Sequence, residues 1–360
     1  MDNLTHSLVG AALAEAGPRD RVVLATPTLV LAANVPDVDI ASYLIGGEFA
    51  ALAWRRGITH GVPALLLWPF VVAALVLAWD RHVRRRRDPT AAPARFGPLL
   101  GLAALGAATH PGLDWLNTYG MRWWLPFDGT WSYGDAVFIV DPWLWLVPGG
   151  AVFLARSARR RAVAAWAVLA ALASLPVLAL GMVPAGTKVV WIAGILALGG
   201  VRWLRPLAGD ARRRSARVAV AGAAGYVLLM IGTAALAERG ARTGALARGL
   251  DVVDVMSGPR PGSLAARDVI VRTPGAYHPG SWRWGRTPAL ELAADEVPIR
   301  RGPDAAIDRA LHDPRVRHFL TWSRFPYAHV TEVEGGWSVR FGDARYSGRG
   351  LGGLDIRVDD

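Results

Sequence analysis

The sequence predicts a mainly α protein: a polytopic helical membrane bundle carrying a C-terminal extracytoplasmic α+β or mostly β domain. Three observations predict it. Apolar runs of spanning length fill residues 1–240, short clusters of arginine separate them, and beyond Glu238 the hydrophobic period changes. Hydrophobic residues make up 52% of the 360, yet the chain carries 40 Lys and Arg and a formal charge of +11. A soluble nucleic-acid-binding protein would spread such charge over one folded face. Here the arginines sit between apolar runs, so they read as determinants of topology, and no nucleic-acid partner is expected.

A spanning helix needs about 20 mainly apolar residues. Segments 61–80, 162–183 and 216–237 meet that length, and 97–114, 143–155 and 187–204 approach it. Two shorter runs, 4–16 and 22–36, read as a helical hairpin broken at Gly17-Pro18 that does not cross fully. Arginines crowd 81–95, 156–161 and 205–217, which places these segments in the cytoplasm. The 17–21 turn, with Arg19 and Arg21, falls on the same side. Residues 37–60, 115–142, 184–187 and everything after 238 are then extracytoplasmic. No basic region opens the chain at Met1–His6, so insertion is expected to use the transmembrane helices themselves. The organisation that follows is a membrane domain over 1–155, further transmembrane helices over 156–238, and an extracytoplasmic domain over 239–360. In that last part 268–272, 337–341 and 354–358 alternate at period two, as half-buried strands do.

With the topology drawn from arginines and apolar runs alone, seven polar residues of the first half meet at one membrane face. His6 opens the first short helix, Asp37 and Asp39 follow the second, and His60 precedes the third. His110 and Asp114 close the fourth, and Asp141 precedes the fifth. An ionised carboxylate in hydrocarbon costs roughly 2.5–3.5 kcal/mol on insertion scales, so such groups face a cavity and find a partner. Four acids and three imidazoles satisfy one another poorly. A divalent cation removes the repulsion, and imidazole nitrogen with carboxylate oxygen suits zinc, manganese or iron. His110 and Asp114, four residues apart, share one helical face, although Pro111 between them is expected to kink or restart the helix. Taken singly, each residue has an ordinary reading: His6 a polar flank, Asp37 and Asp39 an Asx turn, Asp141 a helix cap. Their coincidence at one face favours the metal. The absence of cysteine excludes thiolate ligands and nucleophiles. No His-Glu-x-x-His, Gly-x-Ser-x-Gly or Walker sequence occurs, which sets aside those chemistries.

Four blocks carry a resemblance. They are Asp2-Asn3-Leu4-Thr5-His6-Ser7, Ala33-Asn34-Val35-Pro36-Asp37-Val38-Asp39, Arg56-Gly57-Ile58-Thr59-His60-Gly61, and the stretch from Thr109-His110-Pro111 through Asp114 to Asn117 and Gly120. Together with Val140-Asp141-Pro142 they resemble the YdjM-type membrane-bound metal-dependent hydrolases over residues 1 to 155. Gly61 departs from the Ser found in many members. The resemblance implies a metal-dependent hydrolase of the bacterial inner membrane. A more distant likeness, to the zinc phospholipase C and P1 nuclease group, implies that Asp37 (or Asp39), His60, His110 and Asp114 hold one metal while His6 helps hold a second.

The expectation is therefore a metal-dependent hydrolase, with zinc foremost, at the outer face of the cytoplasmic membrane. His6, Asp37, His60, His110 and Asp114 are its expected metal residues, and Asp39 or Asp141 its general base. Arg55 and Arg56 either neutralise a phosphate or anchor at the interface. A membrane lipid or lipid-linked phosphoester is the expected substrate. The rivals are a non-enzymatic membrane scaffold or metal-binding protein, and a transporter. Acids confined to one face count against transport.

Overall fold

The computed structural model describes residues 1–204, 209–347 and 353–359. They divide into two units. The first comprises residues 1–38, 56–233 and 259–264; the second comprises 39–55, 234–258 and 265–360.

The first unit is helical. Helix α1 (Asn3–Glu15) begins where the Asp2 carboxylate accepts a hydrogen bond from the Thr5 backbone N–H, an N-cap that satisfies one of the orphan donors of the first turn. The Gly17-Pro18 break ends it, as the sequence predicts, and a 3-10 turn over Pro18–Asp20 leads toward α2 (Ala25–Ala32). Next come α4 (Val62–Trp79), which runs on through a π turn at Asp80–Arg84 to α5 (Arg85–Arg87), then α6 (Phe96–Trp115), α7 (Pro142–Arg156), α8 (Arg160–Ala179), α9 (Ala185–Leu204) and α10 (Gly209–Leu246). Helix α6 continues unbroken through Pro111. The expected restart does not occur, because the one N–H that proline lacks leaves a single carbonyl unpaired while the rest of the ladder holds.

Among the described residues four helices are long and apolar enough to cross a membrane: Val62–Arg87, Arg160–Ala179, Ala185–Leu204 and Gly209–Leu246. A fifth is added if Ala25–Ala32 and Val35–Trp54 form one broken span. Leu66, Leu75, Val168, Leu196 and Leu228 are exposed on these helices, as side chains that face lipid must be.

Two glycines set the packing that matters for the site. A Cβ on Gly10 of α1 would stand 2.9 Å from the Leu29 carbonyl oxygen of α2, and one on Gly106 of α6 would stand 2.9 Å from the same oxygen. Their bare backbones let α1 and α6 close on α2 from both sides. The apolar core here joins Ala32, Val72, Ala73, Val76, Leu99, Ala103 and Ala107. At the other end of α1, Glu15 is fully buried and bonded by Arg19, Arg156 and Arg212, an ionic knot that ties α1 to α7 and α10.

The second unit corrects one sequence reading. The stretch 37–60, read from the sequence as extracytoplasmic with no helix assigned to it, contains α3 (Ser42–Trp54), bent at Gly47 where φ is 72°. Helix α3 packs on α12 (Pro314–Trp322), with Trp54 edge-on to His318 at 6.4 Å. The remainder is α+β. One sheet runs β1 (Asp254–Pro259), β2 (Ala266–Arg272), β3 (Ala276–Arg283) and β4 (Leu290–Leu292), with β5 (Val297–Pro298) also on β3. The other runs β6 (Arg300–Arg301), β7 (Pro326–Val333), β8 (Gly336–Asp343) and β9 (Gly353–Asp359), and α11 (Asp304–Ala310) precedes α12. The three runs of alternating residues are β2, β8 and β9. In β8 the alternate residues Val339 and Phe341 are buried, which is the period-two burial the sequence shows.

Candidate metal centre

Three elements converge on one point of the first unit. The turn Val35–Ala41 after α2 carries Asp37. A tight turn before α4, closed by the Gly57 carbonyl accepting from the N–H groups of His60 (3.0 Å) and Gly61 (2.9 Å), carries His60. Helix α6 presents His110 and Asp114 one turn apart. Each of the four offers one ligand atom, and these atoms all lie within 4.8 Å of one another.

The donor set fits a divalent ion. His110 Nδ1 lies 2.7 Å from the Ala33 carbonyl oxygen. A carbonyl can only accept, so Nδ1 holds the proton and Nε2 presents a lone pair. That lone pair faces His60 Nε2 at 3.1 Å and Asp114 Oδ2 at 3.4 Å. Asp114 Oδ2 is buried and accepts no hydrogen bond, although His60 Nε2 is also 3.4 Å away. Asp37 Oδ1 lies 3.6 Å from His60 Nε2 and 3.9 Å from His110 Nε2. Tetrahedral zinc with bonds of about 2.0–2.1 Å holds neighbouring ligand atoms about 3.3–3.4 Å apart. The observed separations bracket that edge. His60, His110 and Asp114 are buried, and Asp37, with its side chain 10% exposed, is the open corner.

Around these four, other residues hold the ligands in place. His6 stacks on His110, ring centroids 3.9 Å apart, with its Nε2 3.3 Å from Asp114 Oδ1; its Nδ1 is buried without a hydrogen-bond partner. The Met1 nitrogen also rests on Asp114 Oδ1. Asn3 Nδ2 donates to Asp37 Oδ2 at 2.8 Å and to Asn34 Oδ1 at 3.3 Å, while Asn34 Nδ2 donates to Ser7 Oγ at 3.1 Å. Arg56 is neither an interfacial anchor nor a free phosphate ligand. Its guanidinium is buried, with Nε 3.2 Å from Asp114 Oδ2, Nη1 donating to Asn117 Oδ1 at 2.7 Å, and its plane over the Tyr119 ring at 4.5 Å. Gly61 also finds its reason. A Cβ there would stand 2.9 Å from the Trp123 carbonyl oxygen, which accepts from the Val62 N–H.

The two acids expected to move protons stand outside this group of four. Asp141 caps α7, its Oδ1 accepting from the N–H groups of Trp143 (2.9 Å) and Leu144 (3.3 Å) and its Oδ2 from the Tyr226 hydroxyl (2.8 Å). Asp39 belongs to the second unit and lies 3.4 Å from Arg55 Nε. Sequence reasoning missed Asn3, Asn34 and Asn117 as orienting groups, although all three fall within the resembling blocks. It also missed Glu15, whose only local signal is Arg19 four residues on.

A family model described as YdjM inner membrane protein matches residues 1–185. The uncharacterized protein YfhP of Bacillus subtilis (strain 168) is 25% identical over 154 residues, which cover 41% of this chain and 43% of that protein. The chain therefore matches less than half the length of that curated relative. No solved structure matches. The likeness to the zinc phospholipase C and P1 nuclease group gains no support from these comparisons.

Proposed function

The chain belongs to the YdjM inner membrane protein family, and from that premise we propose that it is a membrane-bound metal-dependent hydrolase working at the outer face of the cytoplasmic membrane. One observation carries the reading: two imidazole nitrogens and two carboxylates meet within 4.8 Å, and one of the buried oxygens accepts no hydrogen bond. Asp37, His60, His110 and Asp114 would hold the ion, with zinc first and manganese or iron also suited to the donors. Such an ion supplies Lewis acidity, polarising a carbonyl or phosphoryl oxygen and making water a stronger acid. His6, stacked on His110, orients Asp114 through its Oδ1, or helps hold a second ion through its unpartnered Nδ1. Asp37, the open corner, marks where a scissile group enters. For the proton-accepting carboxylate we retain Asp39 and Asp141. Asp39 shares its charge with Arg55, whereas Asp141 is engaged at both oxygens, so its variants would also loosen the α7 cap.

A lipid-linked phosphoester is the substrate class we propose, because a centre built on membrane helices meets its substrate in the lipid. The arginine clusters support cytoplasmic 81–95 and 156–161 and an extracytoplasmic C-terminal domain.

The deciding experiment screens metal-loaded wild type against soluble and lipid-linked phosphoesters, with single cysteines at Arg86 and Glu332 reporting sidedness in the same membranes. Turnover is expected, with Asp39→Asn or Asp141→Asn lowering it by about 10²–10⁴-fold at unchanged metal content. Silence across the screen, or a cytoplasmic Glu332, would replace this reading with that of a metal-binding scaffold or a site on the other face.

A further inference from the structure

A cavity of about 250 Å³ opens between α1, α7, α8 and α9, away from the imidazole cluster. Helix α1 separates the two: His6 points to Asp114, whereas Leu4 and Leu8 line the cavity. Two of its helices, α8 and α9, are long and apolar enough to cross a membrane, and exposed Leu172, Leu175, Val189 and Leu196 suit them to face hydrocarbon. The wall offers almost no hydrogen-bonding atoms. Trp145 Nε1 donates to Asp2 Oδ1 (3.0 Å) and Trp191 Nε1 to Ser174 Oγ (2.9 Å), which turns both indoles' polar atoms away into the protein. An occupant needs only carbon along this wall.

One end of the cavity meets charge. Phe153 of α7 and Val163 of α8 line it, and between them the chain turns through Arg156, Arg159, Arg160 and Arg161. Arg156 bonds Glu15 at 2.6 Å, and Arg202 of α9 secures the turn by donating to the Ser157 carbonyl oxygen at 2.7 Å. Arg159, Arg160 and Arg161 are exposed, and among the described residues nothing pairs with their guanidinium groups. Three cations at the start of α8 also oppose its macrodipole, a conflict that an anion relieves. Basic pockets between transmembrane helices take anionic headgroups.

We propose that this is a binding site for one anionic glycerophospholipid, with an acyl chain in the cavity and its phosphate against Arg159, Arg160 and Arg161. The site is separate from the metal centre and does not depend on hydrolysis. It ties α8 and α9, the thinly packed side of the unit, to α1 and α7. Each arginine near an anionic headgroup contributes about fivefold to partitioning.

The test uses the full chain in phosphatidylcholine vesicles containing a phosphatidylglycerol with a diazirine in its acyl chain, and a parallel arm with equally labelled phosphatidylcholine. Photolysis should mark peptides covering 145–153, 163–173 and 191–199, with phosphatidylglycerol favoured about tenfold or more. Exposed Leu66 and Leu75 of α4 serve as the control and should react equally with both lipids. Replacing Arg159, Arg160 and Arg161 by Ala should bring the cavity's preference close to one, and Ala170→Phe should lower labelling by both lipids. Added inorganic phosphate should not compete, since the chain supplies part of the binding. Equal labelling of the cavity by the two lipids in the wild type, or an undiminished preference in the triple arginine variant, overturns the proposal. Should Ala170→Phe fail to insert, the arginine variant, altered only at the exposed start of α8, decides alone, with a single cysteine at Arg86 reporting that its sidedness is unchanged.

Discussion

Asp114 of the membrane unit and Asp343 of the C-terminal domain are both buried carboxylates, and their surroundings are opposites. Asp343 is closed by donors. Its Oδ2 accepts from Ser323 Oγ (2.7 Å), the Arg324 N–H (2.9 Å) and Arg345 Nη2 (2.8 Å), and its Oδ1 from the Arg345 N–H and Nε, both at 2.9 Å. Arg345 in turn lies over the Trp322 ring at 4.9 Å. Asp114 instead has an oxygen that accepts no hydrogen bond and lies 3.4 Å from each of two imidazole nitrogens. Arg56 and the Met1 nitrogen are the cations beside it, and Asp37 brings a second carboxylate to the cluster. A buried charge is expensive unless it is paired and bonded. The protein meets that demand in full at Asp343, where the carboxylate organises the α12–β7 junction. At Asp114 one oxygen accepts no hydrogen bond and stands beside two imidazole nitrogens, an arrangement that a divalent ion would complete.

The contrast can be broken first at Asp343. Asp343→Ala strands the buried Arg345 charge and should cost about 3–5 kcal/mol, read as lost hydrogen-exchange protection across β7 and β8. Burial pushes the Asp343 carboxyl up, but the charge and hydrogen bonds of Arg345, helped by Ser323, hold it below the ordinary value of 3.8. A folded pKa below the unfolded one adds stability that is fully present above about pH 4 and disappears as pH falls through the lower, folded value. Protection of β7 and β8 in the wild type should therefore fall below pH 4, and Asp343→Asn should flatten that part of the profile. A stable Asp343→Ala variant would show that the donor shell is dispensable.

At the other carboxylate, changes should register in metal and not primarily in folding. His60→Ala, His110→Ala and Asp114→Ala each delete an inner ligand, so affinity should fall by more than the about 10–100-fold typical of an outer partner. Competition against a calibrated chelator measures it, and unchanged affinity in all three would make this cluster as structural as Asp343. Arg56→Lys should give the smaller effect, about 10–100-fold, because an ammonium cannot reproduce the guanidinium's simultaneous reach to Asp114 and Asn117. Wild-type affinity in Arg56→Lys would mean that charge alone, without the fork, orients Asp114.

Sequence periodicity and charge were enough to find the helices around the site. Apolar length marks α4, α8, α9 and α10, and the Gly17-Pro18 break between α1 and α2 needs no tertiary partner to be seen. The pair His110 and Asp114 is also local, since four residues on a helix always share a face. Helix α3 escaped notice because Gly46-Gly47 and Glu48 interrupt its apolar residues, so neither length nor period announces it. The orienting amides escaped for a different reason. Asn3, Asn34 and Asn117 contact partners 31 to 61 residues away in the chain, and nothing in an asparagine's neighbours reports so distant a hydrogen bond.

What the sequence by itself determined is which chemistry the first half can offer: imidazole and carboxylate donors without thiolate, placed at the ends of apolar segments. Only the tertiary structure decided which of the seven donors meet. Asp37 and Asp39 are two residues apart and chemically identical, yet Asp37 joins His60 and His110 while Asp39 pairs with Arg55. Side chains two apart point in different directions along a tight turn, so packing on either side selects one of them. Likewise His6 and His110 are equivalent as imidazoles. The Ala33 carbonyl fixes the proton of His110 on Nδ1 and turns its lone pair inward, whereas the Nδ1 of His6 has no such partner and its ring lies stacked behind. The physical reason is the same in both cases: composition supplies donors, but the backbone carbonyls and close helix contacts that aim them come from residues far away in the chain.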